Sequence, residues 1–395
     1  MQIVDIKGIE IFDSRGVPTL EVHCLLDDGS KYIASVPSGA FAGLYEAAPT
    51  KDITTAINNI NNVIAPMLKG KDPSSQEEID TLMISTDGTE NKQHLGGNTI
   101  IGVSMAVARA GAQSKAITLA EHLAQLYNYQ SEDVSITPLF NIINGGAHAD
   151  NNLTFQEFMV IPLELELSFI EKMKQGRKVF LTLKKRLEEM KKSTNVGDEG
   201  GFAPELNSNE EAIEILIEAI QESGFVPGKD FGIGLDIAAG GIPDLMIATY
   251  PKQPMQYYQD LINDYPVVSL EDPFKDDDWE NWSKLTASIG SRISIVGDDF
   301  FSTNPKRLKQ GIEQKAANSI SIKPNQIGTI SETLQTIKLA KENNYDFQIS
   351  HRAGETEDTF ISDLAIATKS RYIKAGAPNR GERIAKYNQI IRITQ

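Results

Sequence analysis

The chain has 395 residues, of which 40% are hydrophobic and 23% are charged, and its formal net charge is −16. A protein of this charge repels phosphate backbones and anionic lipids, which argues against nucleic acids and membranes as partners. The single cysteine, Cys24, excludes an intrachain disulfide, and neither a signal-peptide pattern nor an apolar run of about 18 residues occurs. These features predict a soluble, cytoplasmic protein of two domains, because the chain is too long for one ordinary core.

The first 130 residues are predicted to form an α+β domain. Alternating apolar residues, separated by two turn signals, predict a strand meander over residues 2–36. Apolar residues at helical spacing predict a helix over residues 53–68, and the capping box Ser75-Gln-Glu-Glu78 predicts the start of another. Asn98 is predicted to cap a long helix that extends to about Tyr127. Since that segment is apolar nearly all round, we expect it to be buried between the domains.

Residues 137–395 are predicted to form a barrel of alternating strands and helices. Short apolar runs alternate with amphipathic segments from Pro138 onwards, a pattern typical of βα units. Helices are predicted over residues 169–190 and 209–223, and residues 131–137 are the best candidate for a linker. The predicted strands end at residues 144, 160, 236, 271, 298, 323, 351 and 374.

Four consecutive strands of this predicted barrel end on residues that can do chemistry: Asp236, Glu271, Asp298 and Lys323. The gaps between them, about 35, 27 and 25 residues, are close to the roughly 30 residues of one strand-plus-helix unit. Side chains at the carboxyl ends of neighbouring parallel strands converge on one face of a barrel. A lone aspartate at a strand end is more often a loop cap, but three oxygen ligands at this spacing favour a Mg²⁺ site with a base beside it.

Basic side chains also lie at predicted strand ends. Beside a divalent cation and the second ammonium group of Lys374, the pKa of Lys323 is expected to fall toward the operating pH, as a general base requires. Either lysine alone would more often lie on the barrel rim with its ammonium group in solvent. The guanidinium of Arg352, directly after His351, suits a phosphate or a carboxylate. His148 alone indicates little, since a loop histidine commonly bonds to backbone.

The segment Val196-Gly-Asp-Glu-Gly-Gly-Phe-Ala-Pro204 places two acids among three glycines and predicts a mobile loop over the barrel mouth. Glu199 in this loop and Glu157 are candidates for a carboxyl pair, in which repulsion retains one proton at neutral pH and supplies a general acid. The competing interpretation is a turn with incidental acids. The sequence contains no Walker A motif, dinucleotide-type glycine motif or nucleophile elbow, which argues against nucleotide hydrolysis and acyl transfer.

At these residues the sequence resembles the enolase family, and it does so over the whole chain. One family-like run is Asn141-Ile-Ile-Asn-Gly-Gly-Ala-His-Ala-Asp-Asn-Asn152, and the others lie at residues 13–19, 87–92, 196–204, 271–279, 319–328, 350–358 and 386–389. The resemblance implies an α/β fold: an enolase-type (β/α)8 TIM-like barrel with an irregular early part, and an N-terminal α+β capping domain over residues 1–130. It also implies homodimers and the Mg²⁺-dependent, reversible dehydration of 2-phosphoglycerate to phosphoenolpyruvate through an ene-diolate, a hydro-lyase reaction of glycolysis.

The resemblance also implies a role for each candidate residue. Lys323 resembles the base that removes the proton next to the substrate carboxylate. Glu199, helped by Glu157, resembles the acid that protonates the departing hydroxyl. The implied metal ligands are Asp236, Glu271 and Asp298. The implied substrate contacts are His148, His351, Lys374 and, for the phosphate, Arg352.

The chain departs from the family pattern on the phosphate side, and therefore resembles a divergent member of the family. Where the family reads Ser-Gly-Ala-Ser-Thr-Gly, this chain reads Ser38-Gly-Ala-Phe-Ala-Gly43, and the side chain of Phe41 cannot bind a metal. Ala353 stands where the family has a serine that helps to hold the phosphate. The acidic stretch expected after Glu46-Ala47 is shortened, and Gly240-Gly-Ile-Pro243 replaces a Ser-Glu-Phe sequence.

Three functions are compatible with this pattern. The leading one is an active enolase with an altered phosphate site. The second is an enolase-like dehydratase of a related phosphorylated or phosphonate 3-hydroxy acid in a biosynthetic pathway, such as phosphonate biosynthesis, with Phe41 and Ala353 shaping its pocket. The third is a non-catalytic binding or structural protein on the enolase fold, which the intact set of three carboxylates, Lys323 and Glu199 disfavours.

Overall fold

The N-terminal part of the chain contains a three-stranded antiparallel sheet. The computed structural model describes residues 1–39, 43–128, 135–243, 250 and 252–395. The strands of the sheet are β1 (Ile3–Phe12), β2 (Pro18–Leu26) and β3 (Lys31–Ser35), and they pair in chain order, as the predicted meander requires. Leu20, Val22 and Cys24 alternate along β2 and are fully buried, so one face of the sheet belongs to the core.

Among the described residues, five α-helices follow the sheet: α1 (Ile53–Asn59), α2 (Ala65–Leu68), α3 (Gln76–Asp87), α4 (Gly97–Ser114) and α5 (Leu119–Tyr127). A π-helical segment (Ile60–Ile64) joins α1 to α2, so the helix predicted over residues 53–68 is confirmed with this irregularity. The single long helix predicted from Asn98 is wrong, because the chain turns at Ala116 with a φ of 53° and restarts at a capping box on Thr118. Asn98 lies inside α4, where its side chain accepts a hydrogen bond from the backbone N–H of Thr50 instead of capping the helix. The helix start predicted at Ser75 is confirmed, since α3 begins directly after it, but the capping box is wrong, because the side chain of Ser75 caps no described N–H group of α3.

Helix α4 lies between the sheet and the barrel, as its apolar surface predicted. On the sheet side, Gly102 packs so closely that an added Cβ atom would lie 2.7 Å from the side chain of Val22. On the barrel side, the hydroxyl oxygen of Ser104 accepts a 3.0 Å hydrogen bond from the backbone N–H of Ile330. Packing and hydrogen bonds therefore join the N-terminal helices to the barrel.

Eight strands in the described part of the chain form a closed barrel: β4 (Thr137–Asn144), β5 (Glu157–Pro162), β6 (Phe231–Asp236), β7 (Val267–Glu271), β8 (Ser294–Gly297), β9 (Ser319–Ile322), β10 (Asp346–Ser350) and β11 (Tyr372–Lys374). Strand β5 pairs antiparallel with both β4 and β6, and all other neighbours pair in parallel. The predicted barrel is confirmed, and so is the irregular early part that the resemblance implied. Because seven strands run in one direction, their carboxyl ends meet at one mouth.

The described helices of the barrel region are α6 (Phe169–Glu189), α7 (Asn209–Glu222), α8 (Pro254–Asp264), α9 (Trp279–Ile289), α10 (Pro305–Gln314), α11 (Pro324–Ile327), α12 (Ile330–Glu342), α13 (Phe360–Ala367) and α14 (Gly381–Thr394). The two helices predicted over residues 169–190 and 209–223 are confirmed as α6 and α7. Across the described residues, no helix is both long and apolar enough to span a bilayer. The predicted domain limits stay predictions, since residues 129–134 lie outside the described residues.

Candidate active site

Three buried carboxylates meet at the mouth of the barrel. Asp236 and Glu271 are the last residues of β6 and β7 and are paired in register, and Asp298 follows β8. Ligand atoms from the three side chains lie within 4.8 Å of one another, and none of the three residues is more than 5% exposed. The structure therefore brings together the three residues predicted as metal ligands, and an oxygen-only set of this kind suits a hard cation.

The ammonium group of Lys374 lies among these carboxylates. Its Nζ atom is 2.8 Å from Asp236, 2.9 Å from Glu271 and 3.0 Å from Glu157. Burial lowers the pKa of Lys374, but the carboxylates outweigh burial and hold this pKa well above its ordinary value. Burial also raises the pKa of Glu271 to about 8, an effect that Lys374 offsets only in part. Within the described residues, the Oε1 atom of Glu271 is buried without a hydrogen-bond partner.

Lys323 follows β9, and its ammonium group contacts the Oδ2 atom of Asp298 directly. The lowered pKa expected for Lys323 refers to a site that holds a divalent cation, and it stays a prediction. The protein's own groups raise the pKa of Lys323. Burial lowers this pKa, but the adjacent carboxylate of Asp298 outweighs burial and raises it. The other oxygen of Asp298 accepts a 3.2 Å hydrogen bond from Nε2 of Gln326, so the carboxylate is held from two sides.

A second acidic cluster joins Glu157, the first residue of β5, to Glu199 in the loop before α7. The Nδ1 atom of His148 lies 3.7 Å from Glu157 and 3.5 Å from Glu199, and all three side chains are buried. Burial and repulsion by Glu199 raise the pKa of Glu157 well above its ordinary value. Burial also raises the pKa of Glu199, but the nearby His148, His351 and Arg383 outweigh burial and hold this pKa well below its ordinary value, so Glu157 is the member of the pair that holds a proton more readily. Asn141 donates from Nδ2 to Oε2 of Glu199 at 2.6 Å and fixes that carboxylate. Burial lowers the pKa of His148 and favours its neutral form.

His351 follows β10 and faces the same carboxyl pair. Its Nδ1 atom accepts a 2.6 Å hydrogen bond from Nη1 of Arg383, so a neutral imidazole carries its proton on Nε2. Burial, reinforced by the charge of Arg383, holds the pKa of His351 well below its ordinary value. The Nε2 atom lies 3.3 Å from Glu199. A neutral His351 therefore presents a proton toward Glu199, and the sequence contained no signal for the part played by Arg383.

Arg352, predicted to bind the phosphate, is paired with a carboxylate from the N-terminal part of the chain. Its Nη1 atom donates to Oε2 of Glu46 at 2.9 Å, and its Nη2 atom donates to Oε1 at 3.0 Å. The Nη1 atom also donates to Oδ1 of Asn325 at 3.1 Å. Burial lowers the pKa of Arg352, but Glu46 outweighs burial and raises it. Sequence reasoning missed this partnership, because no local pattern connects residues so far apart in the chain.

With the exception of Glu271, the predicted site residues that the structure describes all line one cavity of ≈ 340 Å³. The carboxylate of Glu271 is fully buried beside it, against Lys374. Ala353 forms part of the cavity wall and is 7% exposed. Phe41, the other predicted departure, lies outside the described residues. The cavity thus joins the metal-ligand candidates, the base candidate and the acid candidates in a single space.

Three further aspartates line this cavity and were missed from the sequence: Asp272, Asp276 and Asp299. The two carboxylate oxygens of Asp272 accept hydrogen bonds from the backbone N–H groups of Asp298 and Asp299, at 2.9 and 2.8 Å. Burial and repulsion by Asp298 raise the pKa of Asp299 to about 7. A signal for two of them was present, since Asp272 and Asp299 each follow a predicted metal ligand directly.

Comparisons with known proteins cover both parts of the chain. The family described as "Enolase, N-terminal domain" matches residues 3–123, and "Enolase, C-terminal TIM barrel domain" matches residues 132–395. A curated protein named enolase, from Corynebacterium kroppenstedtii, is 44% identical over 411 residues, which cover 100% of this chain and 95% of the relative. This full-length similarity does not favour a phosphonate-acid dehydratase or a non-catalytic scaffold. The chain belongs to the enolase family, whose members are metal-dependent hydro-lyases acting on a small phosphorylated acid.

Proposed function

We propose that the protein is a cytoplasmic enolase that reversibly dehydrates 2-phosphoglycerate to phosphoenolpyruvate with the help of Mg²⁺. One observation carries this proposal: three carboxylates, a lysine and a carboxyl pair meet at one cavity at the barrel mouth. The reaction removes a proton from one carbon and a hydroxyl group from the next, so it needs a base and an acid around one bound substrate. Lys323 and the pair formed by Glu157 and Glu199 are the candidates for these roles.

Asp236, Glu271 and Asp298 would hold the metal ion. The donor set fits Mg²⁺, since it consists of oxygen atoms from residues at the carboxyl ends of three separate strands. The Oε1 atom of Glu271, which lacks a hydrogen-bond partner among the described residues, is a further donor that a cation would satisfy. A bound Mg²⁺ would supply positive charge that offsets the negative charge developing on the substrate carboxylate.

Lys323 is the proposed base. It lies in the cavity wall, and as a neutral amine it can accept the proton next to the substrate carboxylate. Its raised pKa depends on Asp298, while Arg352 and Lys374 act on it in the opposite direction. Once Asp298 is engaged by a cation, its carboxylate stabilises the ammonium form of Lys323 less strongly. The base function of Lys323 therefore depends on the carboxylate of Asp298 being bound to a cation.

Glu199 is the proposed acid, and Glu157 is its partner. Burial and repulsion disfavour two charges on the pair and favour a proton on Glu157, and the departing hydroxyl group needs a proton from this pair. The guanidinium of Arg352 suits the phosphate, because it offers donors in a planar fork. The proposed substrate contacts are His148, His351, Lys374 and Arg352, all of which line the cavity.

A steady-state assay of phosphoenolpyruvate formation from 2-phosphoglycerate, run beside a panel of phosphonate analogues, tests this proposal. We expect turnover of 2-phosphoglycerate that a chelator abolishes and Mg²⁺ restores. Asp298→Asn is expected to abolish turnover, whereas the matched exposed substitution Asp28→Asn is expected to leave it unchanged. Turnover of a phosphonate analogue alone would contradict the proposed substrate, and full turnover by metal-free protein would contradict the proposed metal.

The family resemblance also leads us to propose a homodimer or a higher homo-oligomer, with no nucleic-acid or membrane partner. The net charge of −16 supports the second part, because it opposes binding to polyanions. Light scattering of the protein in solution tests the oligomeric state, and a monomer at all concentrations would contradict it.

A further inference from the structure

Glu46 is a buried charged residue that the proposed reaction does not use, and it contacts Arg352 in the cavity wall. Its carboxylate accepts two hydrogen bonds from the guanidinium of Arg352, at 2.9 and 3.0 Å, across 306 residues of sequence. Both partners are buried, with Glu46 7% and Arg352 6% exposed. A two-point pair of this kind fixes the plane of the guanidinium as well as its charge.

The carboxylate of Glu46 is itself held in place. Its Oε1 atom accepts a 3.1 Å hydrogen bond from the backbone N–H of Gly43. The next residue, Ala47, donates its N–H to a carbonyl of α11 at 2.7 Å. The ring of Tyr45 packs on the guanidinium of Arg307, with 3.5 Å between the guanidinium carbon and the ring centroid. The residues on both sides of Glu46 are therefore attached to the barrel, and Arg352 meets an acceptor that is already fixed.

Other carboxylates attract Arg352 as well. Asp298 and Asp299 both favour its charged form, and both line the same cavity. Without the charge of Glu46, the guanidinium would be drawn more strongly toward these carboxylates, because attraction between opposite charges is strong in a buried site and the neutral Asn325 does not offset it. In that position it would compete for the carboxylates that are proposed to bind the metal.

We propose that Glu46 is a positioning residue that keeps the guanidinium of Arg352 away from Asp298 and Asp299 and directed at the substrate's phosphate. This inference rests on the proposed function, since it assigns Glu46 to the phosphate side of that reaction. It predicts that Glu46 contributes to the binding of phosphorylated ligands and contributes little to the chemical step.

Glu46→Gln tests the proposal, because it preserves the size of the side chain and removes its charge. Kinetics with 2-phosphoglycerate are measured beside equilibrium binding of 2-phosphoglycerate and of glycerate, which lacks the phosphate. We expect the KM for 2-phosphoglycerate to rise about 10-fold, the loss expected for one hydrogen bond to a charged group, with kcat changed by less than about 2-fold. Affinity for glycerate is expected to stay unchanged. The control is Glu77→Gln, an exposed substitution with the same change of charge.

Glu46→Asp provides a second variant, because it keeps the charge and shortens the side chain. We expect its KM to lie between those of the wild type and Glu46→Gln. An equal loss of affinity for both ligands, or tighter binding of 2-phosphoglycerate, would overturn the proposal. If Glu46→Gln does not fold, the proposal is overturned when the KM of Glu46→Asp for 2-phosphoglycerate equals that of the wild type. If the wild type does not turn over 2-phosphoglycerate, the proposed function fails, and the binding of inorganic phosphate to the wild type and Glu46→Asp still tests the role of Glu46.

Discussion

Replacing Lys374 with methionine is expected to destabilise the metal-free protein strongly. Methionine preserves the approximate length and apolar character of the side chain, so the main change is the loss of one ammonium group. That group lies 2.8 Å from Asp236, 2.9 Å from Glu271 and 3.0 Å from Glu157, and Lys374 is 1% exposed. Its removal leaves three buried carboxylates without the cation that they share.

The size of the effect follows from these contacts. Removing one partner of a buried ion pair costs about 3–5 kcal/mol, and here three carboxylates lose a partner at once. Protonation limits the cost, because the pKa values of Glu157 and Glu271 are already raised and would rise further. We therefore expect the free energy of unfolding to fall by about 3 kcal/mol at neutral pH in the absence of metal. Saturating Mg²⁺ is expected to reduce this loss, since it restores positive charge and binds only the folded protein.

Urea unfolding, measured with a chelator and again with saturating Mg²⁺, checks this expectation for the wild type and Lys374→Met. The control is Lys185→Met, since Lys185 is exposed and its pairing with Glu189 is expected to be worth less than about 1 kcal/mol. A Lys374→Met midpoint equal to that of the wild type under both conditions would refute the argument. It would show that this ammonium group does not balance the carboxylates around it.

Three further predictions concern the reaction and its dependence on pH. Lys323→Ala is expected to stop exchange of the substrate's α-proton with solvent deuterium, whereas Glu199→Gln should retain this exchange and lose dehydration. Exchange is measured by NMR, and an equal loss of exchange in both variants would contradict the assigned roles. Burial raises the pKa of Glu271 to about 8 in the metal-free protein, above the roughly 4.3 of an unfolded glutamate, so the folded state holds the extra proton between these values. The free energy of unfolding is therefore expected to fall as pH rises from about 5 to about 8, by at most ~1.4 kcal/mol per pH unit. Urea midpoints measured with a chelator present check this, and midpoints that rise or stay constant over this pH range would contradict it. Ala353→Ser is expected to increase kcat/KM for 2-phosphoglycerate roughly 10- to 150-fold, because a hydrogen bond to a charged group contributes about 1.5–3 kcal/mol. Unchanged kinetics would show that the missing hydroxyl group does not limit phosphate binding.

The metal-ligand candidates were predictable from sequence because their spacing is a consequence of barrel geometry. Asp236, Glu271 and Asp298 recur at about the length of one strand and one helix, and parallel strands bring their carboxyl ends together. Glu157 does not follow this rule. Strand β5 is antiparallel to its neighbours, so its first residue lies at the mouth, in register with Asp236. Spacing alone would have placed the end of that strand, near Val160, at the site.

Contacts between distant parts of the chain were not predictable. The pKa of Lys323 was expected to be lowered by a metal and a second lysine, but its direct contact with Asp298 depends on how two side chains meet in space. Glu46 reaches Arg352 from the N-terminal part, and no local pattern marks that pair. Even a local signal was overridden at Asn98, whose side chain bonds to the backbone of a distant segment instead of capping its helix.

The charge at the centre of the site explains how ionised metal ligands can lie beside a protonated acid. The proposed metal ligands, base and acid pair contribute five carboxylates and, with Lys374, two ammonium groups, and the further aspartates on the cavity wall add to the negative charge: the seven groups are Glu157, Glu199, Asp236, Glu271, Asp298, Lys323 and Lys374. Fully ionised, they carry an excess of three negative charges, which burial makes costly, and the raised pKa values of Glu157 and Glu271 follow from that cost. A divalent cation would balance two of these three charges. Metal binding is therefore expected to lower the pKa of Glu271 and release its proton, while burial and the neighbouring Glu199 still favour a proton on Glu157.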